Sequence, residues 1–332
     1  MNIAVVVGAR PNFVKIAPIL RAFRSNNIDF RLVHTGQHYD QNLSGSFFEN
    51  LGIPNPDVNF NIGTGTQAEQ TGNIMICFER ELRNNATDYV LVVGDVNSSL
   101  ACGIVAKKEH VPLIHVEAGL RSGDQRMPEE INRIIIDRIS DLCFTTTREA
   151  SKTLISEGQN PERIHFVGNV MIDSLQYSLP NLKKPAEIDL PERYFVLTLH
   201  RPSNVDEKQK LRFLLDRISD QIRGEALGFF PVHPRTRKAL GNYQIPCNIK
   251  MTNPMNYLEF AYLMKNALGV ITDSGGIQEE TTFLGIPCLT LRDNSERPET
   301  ITLGTNELIG ENNLEKLKSS LQAILDGKWK IG

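Results

Sequence analysis

The sequence predicts an α/β protein built from two doubly wound domains facing one another across a cleft. Three observations carry this. Short β-branched runs alternate with helical patterns, as in parallel sheets covered on both faces. The 332 residues are about twice an average domain of ~150. The alternation fails once, over 180–192, where Pro180, Lys183, Lys184, Pro185, Asp189 and Pro191 gather without apolar periodicity, and then restarts. The expected plan is a first domain over 1–179, a linker over 180–192 and a second domain over 193–332.

In the first half, β-branched or aliphatic runs predict strands at 3–7, 30–35, 89–93, 113–117, 142–146 and 164–167. Helical patterns fall at 12–25, 43–51, 67–84, 97–108, 129–140 and 148–157. In the second half, strands are expected near 194–199, 228–232, 248–251, 268–272 and 287–291. Helices follow at 207–222, 234–241, 255–266, 276–284 and 312–325. No internal repeat or low-complexity tract interrupts this order.

Composition excludes several classes. Lys and Arg (36) nearly balance Asp and Glu (39), for a net charge of −3. No basic block exceeds Lys107-Lys108 or Lys183-Lys184, so no nucleic-acid partner is expected. No apolar run approaches the ~18 residues of a membrane span. The N-terminal Ile3 to Val7 reads as a strand, without the n-region and long h-region of a signal peptide. The five cysteines (77, 102, 143, 247 and 288) are widely spaced in apolar or small surroundings. They are expected to be buried free thiols, which fits the cytoplasm.

In doubly wound sheets ligands bind beyond the carboxyl ends of the strands. Polar residues stand at nearly every such exit here: Gly8 to Arg10, His34 to His38, Gly94-Asp95, Glu117, His200-Arg201, His233, Asp273 to Gly276, and Arg292 to Arg297. Asp273-Ser274-Gly275-Gly276 opens a helix whose N-terminus can hold an anion. Ser274 can donate to a phosphate, and Glu280 can accept from a ribose diol; Asp273 or Ser274 can equally be a helix cap. No Gly-x-Gly-x-x-Gly follows the first strand and no P-loop occurs, which argues against a Rossmann dehydrogenase or P-loop NTPase. Arg10 can clamp a diphosphate. Lys15, one turn on, can serve the same anion or sit on a solvated face.

Asp95 can cap the next helix or act as an acid–base group. Glu117 ends a strand buried on both faces, where a carboxylate needs a partner or a task. Pro128-Glu129-Glu130 reads locally as a helix start, with Glu129 paired to Arg133 four residues on. His200 and His233 close consecutive strands, which favours a role in the cleft over histidines merely satisfied in the core or on the surface. Neither is spaced like a metal ligand, and no metal is expected.

Together, Gly8-Ala9-Arg10-Pro11, Thr35-Gly36-Gln37-His38, Gly94-Asp95, His115 to Arg121, Pro128 to Arg133, Gly168-Asn169-Val170 with Asp173, His200-Arg201, Pro231 to Pro234, Asp273 to Glu280 and Arg292 to Glu299 resemble the non-hydrolysing UDP-N-acetylglucosamine 2-epimerases. The resemblance runs in order from residue 3 to about residue 325. It implies a GT-B-like pair of Rossmann-like domains, a homodimer, no cofactor, and interconversion of UDP-GlcNAc with UDP-ManNAc or a close derivative. By matched position it implies acid–base roles for Asp95, Glu117 and Glu129. It assigns UDP to Arg10, His200, Ser274, Gly275 and Glu280, with Arg297 at the sugar or phosphate. From their places at the strand exits, Lys15, His233 and Gly276 are further substrate-binding candidates, and His200 is also a catalytic candidate. Glu129 thereby gains a role its local pattern does not suggest.

Departures occur at Asp124-Gln125-Arg126-Met127, which replaces a longer aromatic-containing stretch, and at Tyr39-Asp40 and Thr64 to Gln67, where bacterial members hold an allosteric UDP-GlcNAc. These argue against allosteric activation. The chain ends at Gly332 without the terminal helix usual in the family, which suggests weakened domain closure. The competing readings are a GT-B glycosyltransferase sharing the UDP half-site, and a non-catalytic UDP-sugar-binding module. The three carboxylates, more than simple transfer needs, separate the epimerase from the glycosyltransferase.

Overall fold

The computed structural model describes residues 1–37, 48, 51–232, 234–310 and 313–332, which divide into two compact units, Met1–Tyr177 and Ser178–Gly332. The first holds a parallel sheet of β1 (Asn2–Val7), β2 (Asp29–His34), β3 (Val58–Asn59), β4 (Tyr89–Val93), β5 (Leu113–Ala118), β6 (Leu142–Thr145) and β7 (Ile164–Phe166). Its spatial order is β3-β2-β1-β4-β5-β6-β7. The second unit repeats the plan with β8 (Tyr194–Thr198), β9 (Leu227–Pro231), β10 (Ile249–Thr252), β11 (Gly269–Thr272), β12 (Cys288–Thr290) and β13 (Asn306–Leu308), ordered β10-β9-β8-β11-β12-β13. Both are Rossmann-like, and the fold class is GT-B-like.

In each sheet the chain reverses its direction of travel beside its first strand, between β1 and β4 and between β8 and β11. Such switch points open a crevice at the carboxyl ends of the strands. They select which exits matter: Gly8-Ala9-Arg10 with Gly94-Asp95 in one unit, and His200 with Asp273 in the other.

The central strands are buried almost throughout because helices cover both faces, which is why they read as unbroken aliphatic runs. One core of the first unit gathers Val6, Val33, Val90 and Val92 with Ile74 and Phe78. In the second, Phe195, Leu197, Phe230 and Ile271 pack with Leu211, Leu215 and Leu321. Ile188 and Leu190, from the Pro-rich segment 180–192, pack against that unit's other core.

Two strands escape the sequence pattern. β3 has two residues, too few for any periodicity. β13 is Asn-Glu-Leu, fixed by its ladder with β12 and by Asn306, whose side chain bonds Thr290 (2.6 Å) and Gln278 (3.1 Å). Helices Val170–Ser178 and Pro298–Thr302 were not expected either. The helix expected at 43–51 falls mostly outside the described residues. Among described residues no helix is long and apolar enough to cross a membrane. Cys102, Cys143 and Cys288 are buried free thiols, but Cys77 is half-buried and Cys247 exposed, against the expectation for all five. Cys247 stands in the loop before β10, outside any core.

Candidate active site

The first switch point is organised by the helix Arg10–Ser25. Pro11, with no N–H to lose, suits its first turn. Asn12, 1% exposed, accepts the amides of Ala9 (3.0 Å) and Gly8 (3.3 Å) and donates to the Val93 carbonyl (2.9 Å). One side chain thus ties the exit of β1 to that of β4. One turn on, the same face carries Lys15, whose ammonium is paired with Glu117. Both are buried, so Lys15 is not on the solvated face its sequence also allowed. It packs where Gly94 leaves room: a Cβ on Gly94 would stand 3.1 Å from Lys15 Nζ and 3.1 Å from Glu117 Oε2.

Glu117 sits in the left-handed region at φ 72°, at a register shift between Val116 and Ala118. This is a β-bulge, and bulges re-aim side chains beside active sites. Held left-handed, a non-glycine residue costs about 1–3 kcal/mol. The ion pair with Lys15 helps hold it. A partnership with Arg121, an alternative structural role for Glu117, is not what forms: Arg121 bonds Asp137 (2.7 Å) and forks onto Glu157 (2.9 and 2.6 Å).

Asp95 does not cap the helix Asn97–Lys108, whose N-cap is Val96. It is paired with Arg133, and Asn132 donates to its carbonyl (2.8 Å). Arg133 also bonds Glu130 at 2.8 Å. The expected Glu129–Arg133 pair is thereby replaced, because Arg133 points inward while Glu129 is exposed on the first turn of the helix Pro128–Ile139. Glu130, 2% exposed, also accepts the amides of Ser122 and Gly123 (2.9 Å each). It is committed to holding that loop.

In the second unit Asp273 is fully buried. It accepts the amides of His200 and Arg201 (3.0 Å each), the Asn204 side chain (3.2 Å) and His200 Nδ1 (2.9 Å). Burial disfavours its charge, but His200, the Arg201 amide and Asn204 outweigh that and hold its pKa below the ordinary value. So Asp273 is not the helix cap its position allowed. Ser274 is the N-cap residue of the helix Gly275–Leu284, yet its side chain makes no capping bond. Gly275 and Gly276 form that helix's first turn.

Around this N-terminus, Arg292 grips Glu296 through two bonds (3.0 and 2.9 Å), and Arg297 Nε lies 2.5 Å from Glu279. Burial would raise Glu296, but Arg292 and Arg297 hold it down to about 2. Glu280, 4% exposed, accepts from the Tyr257 hydroxyl at 2.9 Å. Burial pushes it up to about 7, against the Tyr257 bond and with help from the charge of Glu279. His233 lies outside the described residues, as do His38, Tyr39 and Asp40; the described part of Arg10 is its backbone, which starts the first helix.

The structure therefore joins Lys15 with Glu117 in one unit, and gathers Ser274, Gly275, Gly276 and Arg297 about one helix start in the other, with His200 fixed through the adjacent Asp273. Sequence reasoning missed Asp137, Tyr257 and the Arg133 link to Asp95. A signal for two of these was present: the helix Pro128–Ile139 buries Glu130, Asn132, Arg133 and Asp137 and exposes Ile131, Ile134 and Ile135. Its polar face points inward, where polar groups need partners.

Two Rossmann-like units with charged, bonded side chains at both switch points define a two-domain α/β protein of the GT-B-like class. A sequence profile described as UDP-N-acetylglucosamine 2-epimerase matches residues 21–330. The chain belongs to the UDP-N-acetylglucosamine 2-epimerase family. It is 42% identical to the UDP-N-acetylglucosamine 2-epimerase of Methanocaldococcus jannaschii, over 99% of this chain and 94% of that one. It is 39% identical to the UDP-2,3-diacetamido-2,3-dideoxy-D-glucuronate 2-epimerase of Pseudomonas aeruginosa, over 93% and 88%. The crystal structure of the M. jannaschii UDP-GlcNAc 2-epimerase in complex with UDP-GlcNAc and UDP superposes with a TM-score of 0.92, covering 100% of this chain and 95% of that chain at 42% identity. The Neisseria meningitidis enzyme bound to UDP-GlcNAc gives 0.89 at 27% identity, covering 100% and 95%.

Proposed function

We infer that this chain interconverts UDP-GlcNAc and UDP-ManNAc, or a close derivative pair, by epimerisation at C2. The observation that carries this is full-length identity of 42% to an archaeal relative of that name, joined to two carboxylates, Asp95 and Glu117, each paired with a cation. In this reading a carboxylate takes the C2 proton while the C1–O bond breaks and its electron pair leaves with UDP. The product is a 2-acetamidoglucal. UDP then returns to C1 as a proton is delivered to the opposite face of C2. The sum is redox-neutral and needs no cofactor.

Asp95, Glu117 and Glu129 are the acid–base candidates. Carboxylates suit both transfers where water is excluded. Arg10, His200, Ser274, Gly275, Gly276 and Glu280 are assigned to UDP, with Lys15, His233 and Arg297 completing the substrate contacts. His200 commits Nδ1 to Asp273, leaving Nε2 as the nitrogen to meet the diphosphate. Charge that develops on departing UDP is stabilised by such fixed donors and by the helix start. Incubating the protein with UDP-GlcNAc alone in D2O tests the reading. Deuterium at C2 and appearance of UDP-ManNAc are expected by proton NMR; transfer seen only with an added acceptor, or an inert bound ligand, would overturn it.

We also infer a homodimer through the reversed helix Pro128–Ile139. Ile131, Ile134 and Ile135 are 37–48% exposed there, and Ile76 on the helix Gln67–Asn84 is 50% exposed. The helices Gln67–Asn84, Asn97–Lys108 and Pro128–Ile139 pack in a row, forming a surface that a second copy can cover. Ile134→Asp is expected to give monomers in sedimentation velocity; wild type sedimenting as a monomer would sink this. The cysteines, free thiols throughout, support a reducing, cytoplasmic location, which cell fractionation checks.

A further inference from the structure

Beneath the two strand exits of the first unit lies a buried pair that the chemistry above does not use. The His115 imidazole, fully buried on β5, bridges two oxygens. Its Nδ1 is 2.7 Å from Asp137 Oδ1, and its Nε2 is 3.0 Å from the Gly94 carbonyl. Asp137 reaches the other way: its Oδ2 accepts the Gly119 amide at 3.1 Å and Arg121 at 2.7 Å. Gly94 immediately precedes Asp95. Gly119 follows Glu117 by two residues, at the far side of the bulge that turns Glu117 left-handed.

Gly94 and Gly119 both have positive φ (65° and 83°), which glycine adopts without strain, so neither exit is a regular strand end. The strained residue is the left-handed Glu117, and such strain persists only where the surroundings over-determine it. Here the same two side chains hold both segments. Burial raises the cost of charge on Asp137, but His115 and Arg121 together keep its pKa below the ordinary value, so it serves as an anion accepting from all sides. Arg121 is itself fastened to Glu157, which anchors the pair to the helix Arg148–Ser156 at its C-cap.

We propose that His115 and Asp137 are positioning residues of the epimerisation, setting the Asp95 and Glu117 carboxylates relative to each other by holding the Gly94 carbonyl and the Gly119 amide. The proposal rests on the epimerase reading, because it concerns where those carboxylates stand as protons move. Acid–base groups must lie within hydrogen-bond reach of the proton they transfer, and a misplacement of ~1 Å can cost about 10²-fold.

Two isosteres separate positioning from simple structural support. An Asn amide nitrogen falls near Nδ1 of His, and a Gln amide nitrogen near Nε2. His115→Asn therefore keeps a donor toward Asp137 but drops the Gly94 link. His115→Gln keeps the Gly94 link and drops the Asp137 donor. The measurements are kcat and KM for C2 exchange per folded molecule, UDP affinity by calorimetry, and melting temperature. His115→Asn is expected to lower kcat by about 10- to 100-fold with KM and UDP affinity unchanged, and His115→Gln to recover most of that rate although both melt below wild type. Rates that follow melting temperature rather than the Gly94 link would overturn the proposal. Should His115→Asn fail to fold, Asp137→Asn with wild-type kcat would overturn it equally. A wild-type protein that exchanges nothing would instead overturn the epimerase reading, and this proposal with it.

Discussion

Replacing Glu117 with Gln is expected to lower C2 hydrogen exchange by ~10²-fold or more, the scale of general acid–base groups, while UDP affinity stays near wild type. The substitution keeps volume and removes the capacity to take a proton. It also leaves the buried Lys15 ammonium without its carboxylate, and breaking one side of a buried pair costs about 3–5 kcal/mol. The melting temperature should therefore fall too. Lys15→Met combined with Glu117→Gln removes both charges and should return much of that stability without returning exchange.

Asp95→Asn differs in an instructive way. Arg133 retains Glu130 at 2.8 Å, so the stability loss should be smaller for a comparable loss of exchange. Measuring exchange and melting on one preparation decides between chemistry and structure. A Glu117→Gln protein that melts early but exchanges normally per folded molecule would remove Glu117 from the acid–base set.

The ligand-free protein is expected to lose about 3 kcal/mol of stability through Glu280 as pH rises from about 4.5 to about 7. Its carboxyl is raised to about 7 from an ordinary 4.5 by burial. Between those values the unfolded chain has released the proton and the folded one retains it, so the folded state binds more protons and each rise in pH favours unfolding. Above about 7 both states are ionised and the loss is complete. Glu280→Gln keeps an oxygen for the Tyr257 hydroxyl and removes the titration. Denaturant unfolding at pH 5, 6, 7 and 8 should show wild-type stability falling relative to the variant as pH rises and then levelling. A difference independent of pH would show that Glu280 titrates normally.

The parallel α/β class was legible because buried strands must be aliphatic and their exits carry the polar groups. The strand from 113 was legible, but its bulge was not. His-Val-Glu-Ala carries no glycine to announce a left-handed residue, and Glu117 adopts one because Lys15, about a hundred positions earlier in the chain, lies beneath it. Asp273 was visible at its strand exit but not its task, since Asp before Ser-Gly-Gly looks like a cap. Only the folded chain brings the His200 and Arg201 amides and Asn204 to its carboxylate.

Likewise Pro128-Glu129-Glu130 read locally as a helix start for both glutamates alike, whereas Glu130 is buried and Glu129 exposed. By itself the sequence determined the order of most strands and helices, the polar character of the exits and, through ordered motifs spanning most of the chain, the family. Local physics suffices for these: periodicity, turn chemistry and burial act over a few residues. The tertiary structure decided which cation faces which carboxylate, which glutamate turns inward, and that His115 and Asp137 tie the Asp95 and Glu117 segments together. Those choices depend on where parallel strands lie side by side, and neighbouring strands of such a sheet come from distant parts of the chain.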